Sequence, residues 1–409
     1  MSEFIVAVFV VTYLGMAAGR IPGLKMDRTG IALFGAVAML ALQALPLERI
    51  PRVIDFPTLC ILFGLMILSA QFAASGFYDW AASRIAAAAG SPIRLLALTV
   101  IAAGGLSAVL ANDIVVFAMT PLICSGVKAR GLDPRPFLAG LAGASNAGSA
   151  ATLIGNPQNI VIGQVGHLNF WHFIWVCSLP ALAALLVTFA VVWLVWREAL
   201  AVPAAAAAAA SQPLDRWQFG KAVLAGLVLV GLFATPVPRE LAALVVAAAL
   251  LVSRRLSRRE MISAVDWHLI LLFACLFLVN AALAGTGLPA QVLDSAAGAG
   301  LLPDRLTVLT AFSVAASNTI GNVPAVVMLL SLWPHASAGV LYALAVLSTL
   351  AGNLLLVGSI ANLIVSERAA LAGVRFGFAD HARAGIPMAV LSLLLAVAWF
   401  GFGGWLPWH

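Results

Sequence analysis

Long apolar runs, broken by short polar clusters, fill this chain from end to end. They fall near residues 4–19, 29–46, 56–75, 95–126, 136–166, 170–196, 218–236, 239–253, 267–284, 304–333, 339–366 and 384–405. Runs of 18 or more residues recur, and each can cross ~30 Å of hydrocarbon. Two shorter stretches, 77–90 and 287–300, read as interfacial helices. The short alternating segments of a β-barrel do not occur. The pattern predicts an all-α polytopic membrane protein.

Composition agrees. The 409 residues are 63% hydrophobic and 9% charged, against about 25% charged in soluble domains. The net charge of +6 sits in short loops, where it writes membrane topology and does not point to nucleic acid. Residues 1–19 lack a basic start and carry Glu3, so they read as a retained first span and not a signal peptide. Four isolated cysteines match neither a disulfide framework nor a metal spacing.

The apolar pattern repeats. Residues 54–77 resemble 265–288, with Asp55 matching Asp266 and Gly76 matching Gly287 at an offset of 211. Residues 107–119 align with 317–329, matching Ser107 to Ser317 and Asn112 to Asn322 at 210. Residues 145–162 align with 348–365, matching Ser145 to Ser348, Gly155 to Gly358 and Asn159 to Asn362 at 203. Three blocks in one order make a two-repeat protein. The expected divisions are a first span at 1–28, repeats at 29–200 and 217–409, and a low-complexity linker at 201–216.

Charge decides the topology. Segments 95–126 and 304–333 either cross the membrane or return as re-entrant hairpins. If both return, 18 of the 22 Lys and Arg share one face, leaving Arg49, Arg52, Arg239 and Arg305 on the other. If both cross, the split is 10 against 12. The positive-inside rule selects the hairpins. The layout is about ten transmembrane helices, two re-entrant hairpins and two broken helices, with both termini outside. Halves separated by an odd number of spans are inverted, as in secondary transporters.

Four polar breaks then matter: 111–115 and 317–324 at the hairpin tips, 154–159 and 357–362 inside spans. Unwound backbone at membrane depth is tolerated where it lines a cavity or is buried in protein. Helix starts favour anions, and helix ends offer carbonyls to cations. The candidate binding residues are Asn112, Asp113, Ser145, Asn146, Thr152, Gly155, Asn156, Asn159, Ser317, Asn318, Thr319, Asn322, Ser348, Asn353, Gly358, Ser359 and Asn362. Asp113 stands apart. It is the acidic residue deep inside an apolar segment, its repeat mate is Val323, and an intramembrane carboxylate is functional by default. The competing role is a cap on the outgoing half-helix.

Residues 111–123 and 148–163 resemble the ion-transporter superfamily, closest to the ArsB/NhaD-type permeases and their anion-permease branch. The Ala111-Asn112-Asp113 run with Thr120-Pro121, and Gly321, Asn322 and Pro324, carry the likeness. The divalent anion:sodium symporters are more distant, matched at Ser317-Asn318-Thr319. The resemblance implies inverted five-span repeats, an elevator-like motion and a bacterial inner-membrane location. The expected function is a permease for a small inorganic anion or oxyanion, arsenite among the choices, coupled to H⁺ or Na⁺ as symport or antiport. A Na⁺/H⁺ antiporter is the alternative. No cofactor or resident metal is expected; a carried Na⁺ would sit near Asn112, Gly155, Asn322 and Gly358. The partners are the bilayer and the ions, with a homodimer left open. An enzyme is disfavoured, since the six histidines fall in loops or at span ends.

Overall fold

The computed structural model describes residues 2–18, 26–88, 90–202, 213–252, 257–333 and 336–408. Most of the linker, and Arg20, Lys25, Arg254 and Arg255, lie outside them. The first half runs α1 Ser2–Ala18, α2 Arg28–Ala41, α3 Ile50–Val53, α4 Phe56–Ala74, α5 Phe77–Ala88, α6 Pro92–Val109, α7 Asn112–Lys128, α8 Arg135–Ser149, α9 Pro157–Val165, α10 Phe170–Val195 and α11 Arg197–Leu200. The second runs α12 Arg216–Leu232, α13 Arg239–Leu251, α14 Arg258–Ser263, α15 Trp267–Ala284, α16 Leu288–Gly298, α17 Leu306–Thr319, α18 Asn322–Leu332, α19 Ala338–Ala351, α20 Ile360–Leu371 and α21 Phe378–Phe402.

Helices stop where the polar breaks lie. Leu110 and Ala111 separate α6 from α7, and Ile320 and Gly321 separate α17 from α18. Gly321 has φ of 96°, a conformation that glycine adopts without penalty. Residues 150–156 interrupt α8/α9, and 352–359 interrupt α19/α20. The short elements expected at 77–90 and 287–300 are α5 and α16. Asp55 and Asp266 cap α4 and α15, accepting from the backbone N–H of Thr58 and Leu269 at 3.2 and 3.0 Å.

The chain folds back at the first tip. Leu95 and Thr99, near the start of α6, share a small cavity with Ile123, Gly126 and Val127 near the end of α7. A helix running straight on would place these groups far apart. In the second half, α17 and α18 also pack on each other.

Five described helices are long and apolar enough to cross a membrane: α4, α6, α10, α15 and α21. Others are shorter than the expected segments. α2 and α13 have 14 and 13 residues, below the ~20 of a full apolar crossing. The apolar run 29–46 leaves its helix at Leu42 and ends in turns, which is why the helix stops before the hydrophobicity does.

Packing divides the helices into two blocks. One holds α1, α2, α4, α12, α13 and α15, where α13 packs on α4 and α2 on α15. Each half's first helix hydrogen-bonds the other half's fourth: α1 to α15, and α12 to α4. Tyr13 Oη donates to Asn280 Oδ1 at 3.1 Å, and Gln71 Nε2 donates to Gln218 Oε1 at 2.9 Å. The other block holds the folded-back pairs, the broken helices, α10 and α21. Small residues let its backbones approach closely. A Cβ on Gly148 would collide with the Gly104 carbonyl of α6. Across the halves, α7 packs on α20 and α18 packs on α9. Each hairpin's outgoing helix thus lies against the other half's broken helix, as a two-fold relation between inverted repeats requires.

Candidate transport site

The four breaks converge in a buried polar cluster. Asn146 of α8 is fully buried and stands at its centre. Its Nδ2 donates to Asn353 Oδ1 at 2.8 Å and to Asn362 Oδ1 at 3.0 Å. Its Oδ1 accepts from Ser359 Oγ at 3.0 Å and from Asn112 Nδ2 at 3.3 Å. One amide therefore ties the first hairpin tip to the second broken helix.

The halves mirror each other in these bonds. Asn159 Nδ2 donates to the carbonyls of Ser149 and Thr152 at 3.2 and 2.9 Å. Its mate Asn362 donates to the carbonyls of Gly352 and Leu355 at 2.8 and 3.3 Å, the corresponding positions. Asn146 meets Ser359, the cap position of α20. Its mate Thr349 accepts from Asn156 Nδ2, the cap of α9, at 3.3 Å. Both glycines of the breaks lack room for a side chain. A Cβ on Gly155 would strike the Ser149 and Ser107 carbonyls, and one on Gly358 would strike Asn318 Oδ1 and the Gly352 carbonyl. Two further bonds hold the first tip on its break. Thr152 Oγ1 donates to the Ala108 carbonyl at 2.6 Å, and the Asn112 N–H donates to the Gly155 carbonyl at 3.0 Å.

Most expected residues are in this cluster. Ser317 Oγ donates to the Ser348 carbonyl at 3.2 Å. Asn318 Nδ2 donates to the Ala351 carbonyl at 2.9 Å and its Oδ1 accepts from Leu355 N–H at 3.1 Å. Asn322 is buried at the start of α18 and accepts from the Val323 N–H at 2.9 Å. Thr319 is exposed, and its hydroxyl turns back to the Ala315 and Ala316 carbonyls, outside the cluster. The oxygens Ser107 Oγ, Asn112 Oδ1, Ser145 Oγ, Asn159 Oδ1 and Ser348 Oγ are buried with no hydrogen-bond partner among the described residues. Each costs about 1–3 kcal/mol if nothing fills it.

Asp113 is the second residue of α7, past the cap position held by Ala111. It is half-buried and makes no hydrogen bond or ion pair among the described residues, so it does not cap the helix. Its carboxylate lines a cavity of about 420 Å³ between the two blocks, with Met66, Phe117, Asn156, Ser263 and Asp266. No Lys, Arg or His lines that cavity among the described residues. A larger cavity of about 910 Å³ lies against the first turn of α4 and the second half of α15, lined by Asp55, His167, Arg239, Glu240 and Asn280. The pair are mates: Asp266 in one matches Asp55 in the other, Ala70 matches Ala281, and Phe117 matches Val327. The larger cavity does not include its own hairpin tip.

Four cluster members were not expected from sequence. Thr349 and Ser149 join through Asn156, and Gln158 Nε2 donates to Thr349 Oγ1 at 3.1 Å. Thr349 could have been found as the repeat mate of Asn146. His381, expected at a span end, is indeed in the first turn of α21. It is nevertheless buried, with Nε2 at 3.0 Å from the Asn353 carbonyl and 3.5 Å from Asn362 Nδ2. No sequence signal marks it.

The citrate transporter model, CitMHS, matches residues 8–340, which include both tips and the first broken helix. The chain belongs to the citrate transporter family. This CitMHS member is 30% identical to the 46 kDa membrane protein of Mycobacterium leprae over 97% of each chain. It is 24% identical to the silicon efflux transporter LSI3 of Oryza sativa subsp. japonica, covering 93% of this chain and 94% of that one. The crystal structure of the Alcanivorax borkumensis YdaH transporter aligns over 99% of both chains, with a TM-score of 0.57 at 15% identity. That likeness shows a shared fold. The CitMHS chain is thus an all-helical integral membrane transporter.

Proposed function

We propose that this chain moves a small inorganic anion or oxyanion, arsenite-like among the choices, coupled to H⁺ or Na⁺ by alternating access. The observation that carries this reading is Asp113, an unpaired carboxylate on a hairpin tip that opens into a cavity between two packing blocks. A carboxylate in that place is free to gain and lose a cation as the cavity opens and closes. The unpartnered oxygens of Ser107, Asn112, Ser145 and Asn159 support a dehydrated Na⁺ beside it. Citrate, named by the family, and silicon, named by the rice relative, differ in charge, so neither name fixes the substrate.

In this reading the two folded-back pairs are re-entrant and end at mid-membrane. The block with the breaks slides against the other in an elevator-like stroke. Eighteen Lys and Arg face the cytoplasm and both termini lie outside. The bonds Tyr13–Asn280 and Gln71–Gln218 support counting residues 1–28 with the repeat at 29–200.

A Na⁺/H⁺ antiporter is the second reading. Two carboxylates and, among the described residues, no basic group in the smaller cavity favour it. Proteoliposomes with an internal pH dye separate the two. The leading reading expects concentrative uptake of arsenite or sulfate, from a panel that also holds citrate, driven by a proton or sodium gradient. Proton flux driven by Na⁺ alone, unaffected by any of them, selects the antiporter.

A further inference from the structure

The two breaks are built alike but differ in charge. The first presents Asp113, with Asp266 across the cavity. At the second, Arg28 reaches from the start of α2, in the other block, onto the hairpin tip. Its Nη2 donates to the Val357 carbonyl at 3.3 Å. Its Nη1 lies against the Gly321 backbone, where an added Cβ would fall 2.9 Å away. A guanidinium carries five N–H donors and is always charged. Among the described residues Arg28 has no carboxylate within ion-pair distance and no acceptor besides Val357. It is half-buried. A part-buried charge with idle donors costs free energy unless a partner arrives.

The neighbouring helix starts have the same sign. The cap position of α20 is Ser359, which makes no side-chain cap bond and donates its hydroxyl to Asn146 Oδ1. α18 follows Gly321, which has no side chain to cap it; of its first N–H groups, that of Val323 is taken by Asn322 Oδ1. At the first break, by contrast, Asn156 caps α9 by accepting from the Asn159 N–H at 2.9 Å.

The geometry points to Arg28 as the residue that recognises the substrate's negative charge, holding a carboxylate or oxyanion against the second tip. Arg28 offers the planar fork that such groups accept. The inference rests on the transporter reading and adds to it the sign of the substrate and a residue that selects it. Cation and anion are then handled at different breaks: Asp113 at the first, and Arg28, reaching over from α2, at the second.

The test is uptake of citrate, sulfate and arsenous acid by Arg28→Gln and Arg28→Lys in proteoliposomes, with melting temperatures of the purified proteins. Arg28→Gln is expected to raise KM for the transported anion roughly tenfold or more while kcat and melting temperature stay near wild type. Arg28→Lys, which keeps the charge but loses the fork, should recover part of that loss. A wild-type KM for the anion in Arg28→Gln overturns the inference. So does transport of neutral arsenous acid alone, equal in all three proteins. Should Arg28→Gln fail to fold, an unchanged KM in Arg28→Lys overturns it as well. Asp113→Asn in the same vesicles keeps the two ideas apart: if it retains concentrative uptake, the coupling reading fails whatever Arg28 does.

Discussion

The first and second breaks share a backbone plan and differ in what they expose. Asn159 and Asn362 hold the same carbonyl pairs, and Gly155 and Gly358 meet the same kind of backbone wall. Yet the first tip shows an acid to a cavity, while the second packs Val323 in its place and receives an arginine from the other block. Symmetry therefore accounts for the scaffold of the site, and departures from symmetry account for its chemistry. An inverted repeat needs matched unwound segments to alternate access. It does not need matched charges, and a coupled carrier gains from separating them.

The comparison can be broken most severely at the acid. Asp113→Val makes the first tip copy the second; concentrative uptake should fall to background while expression and melting temperature hold. Adding Val323→Asp should not restore uptake, because the larger cavity does not reach that tip. Next comes the hub. Asn146→Ala strips partners from Asn112, Asn353, Asn362 and Ser359. With about 1–3 kcal/mol for each buried group left unmet, it should lower the melting temperature clearly more than Thr349→Ala, its mate. Gly155→Ala and Gly358→Ala should each cost about 1–3 kcal/mol by overpacking against backbone, read as matched losses of thermal stability. The smallest effect belongs to Thr319→Ala. Exposed and outside the cluster, it should leave stability within about 0.5 kcal/mol and uptake unchanged.

Much of this architecture was legible in the sequence. Helix-ending residues inside apolar runs placed all four breaks, and the offsets of 210 and 203 paired Asn112 with Asn322 and Asn159 with Asn362, now seen in equivalent positions. Asp113 stood out because a carboxylate in hydrocarbon has few structural excuses. Other parts were hidden for physical reasons. Arg28 sits at a segment end, where a basic residue reads as a topology signal, and only the folded chain brings its long side chain to Gly321. His381 is buried because α21 packs over the second break, a tertiary fact with no local trace. Thr319 matched a family pattern, but its place on α17 turns it away from the cluster. The two-block division was likewise invisible, since apolar helix faces look alike whichever neighbour covers them.

On the proposed reading, the Asp113 carboxylate couples substrate movement to an ion. The most direct measurement compares, in one set of proteoliposomes, gradient-driven accumulation and substrate-for-substrate exchange by wild type and Asp113→Asn. The neutral amide should abolish accumulation and leave exchange running, because the site still binds and the blocks still move. Accumulation equal to wild type would contradict the claim.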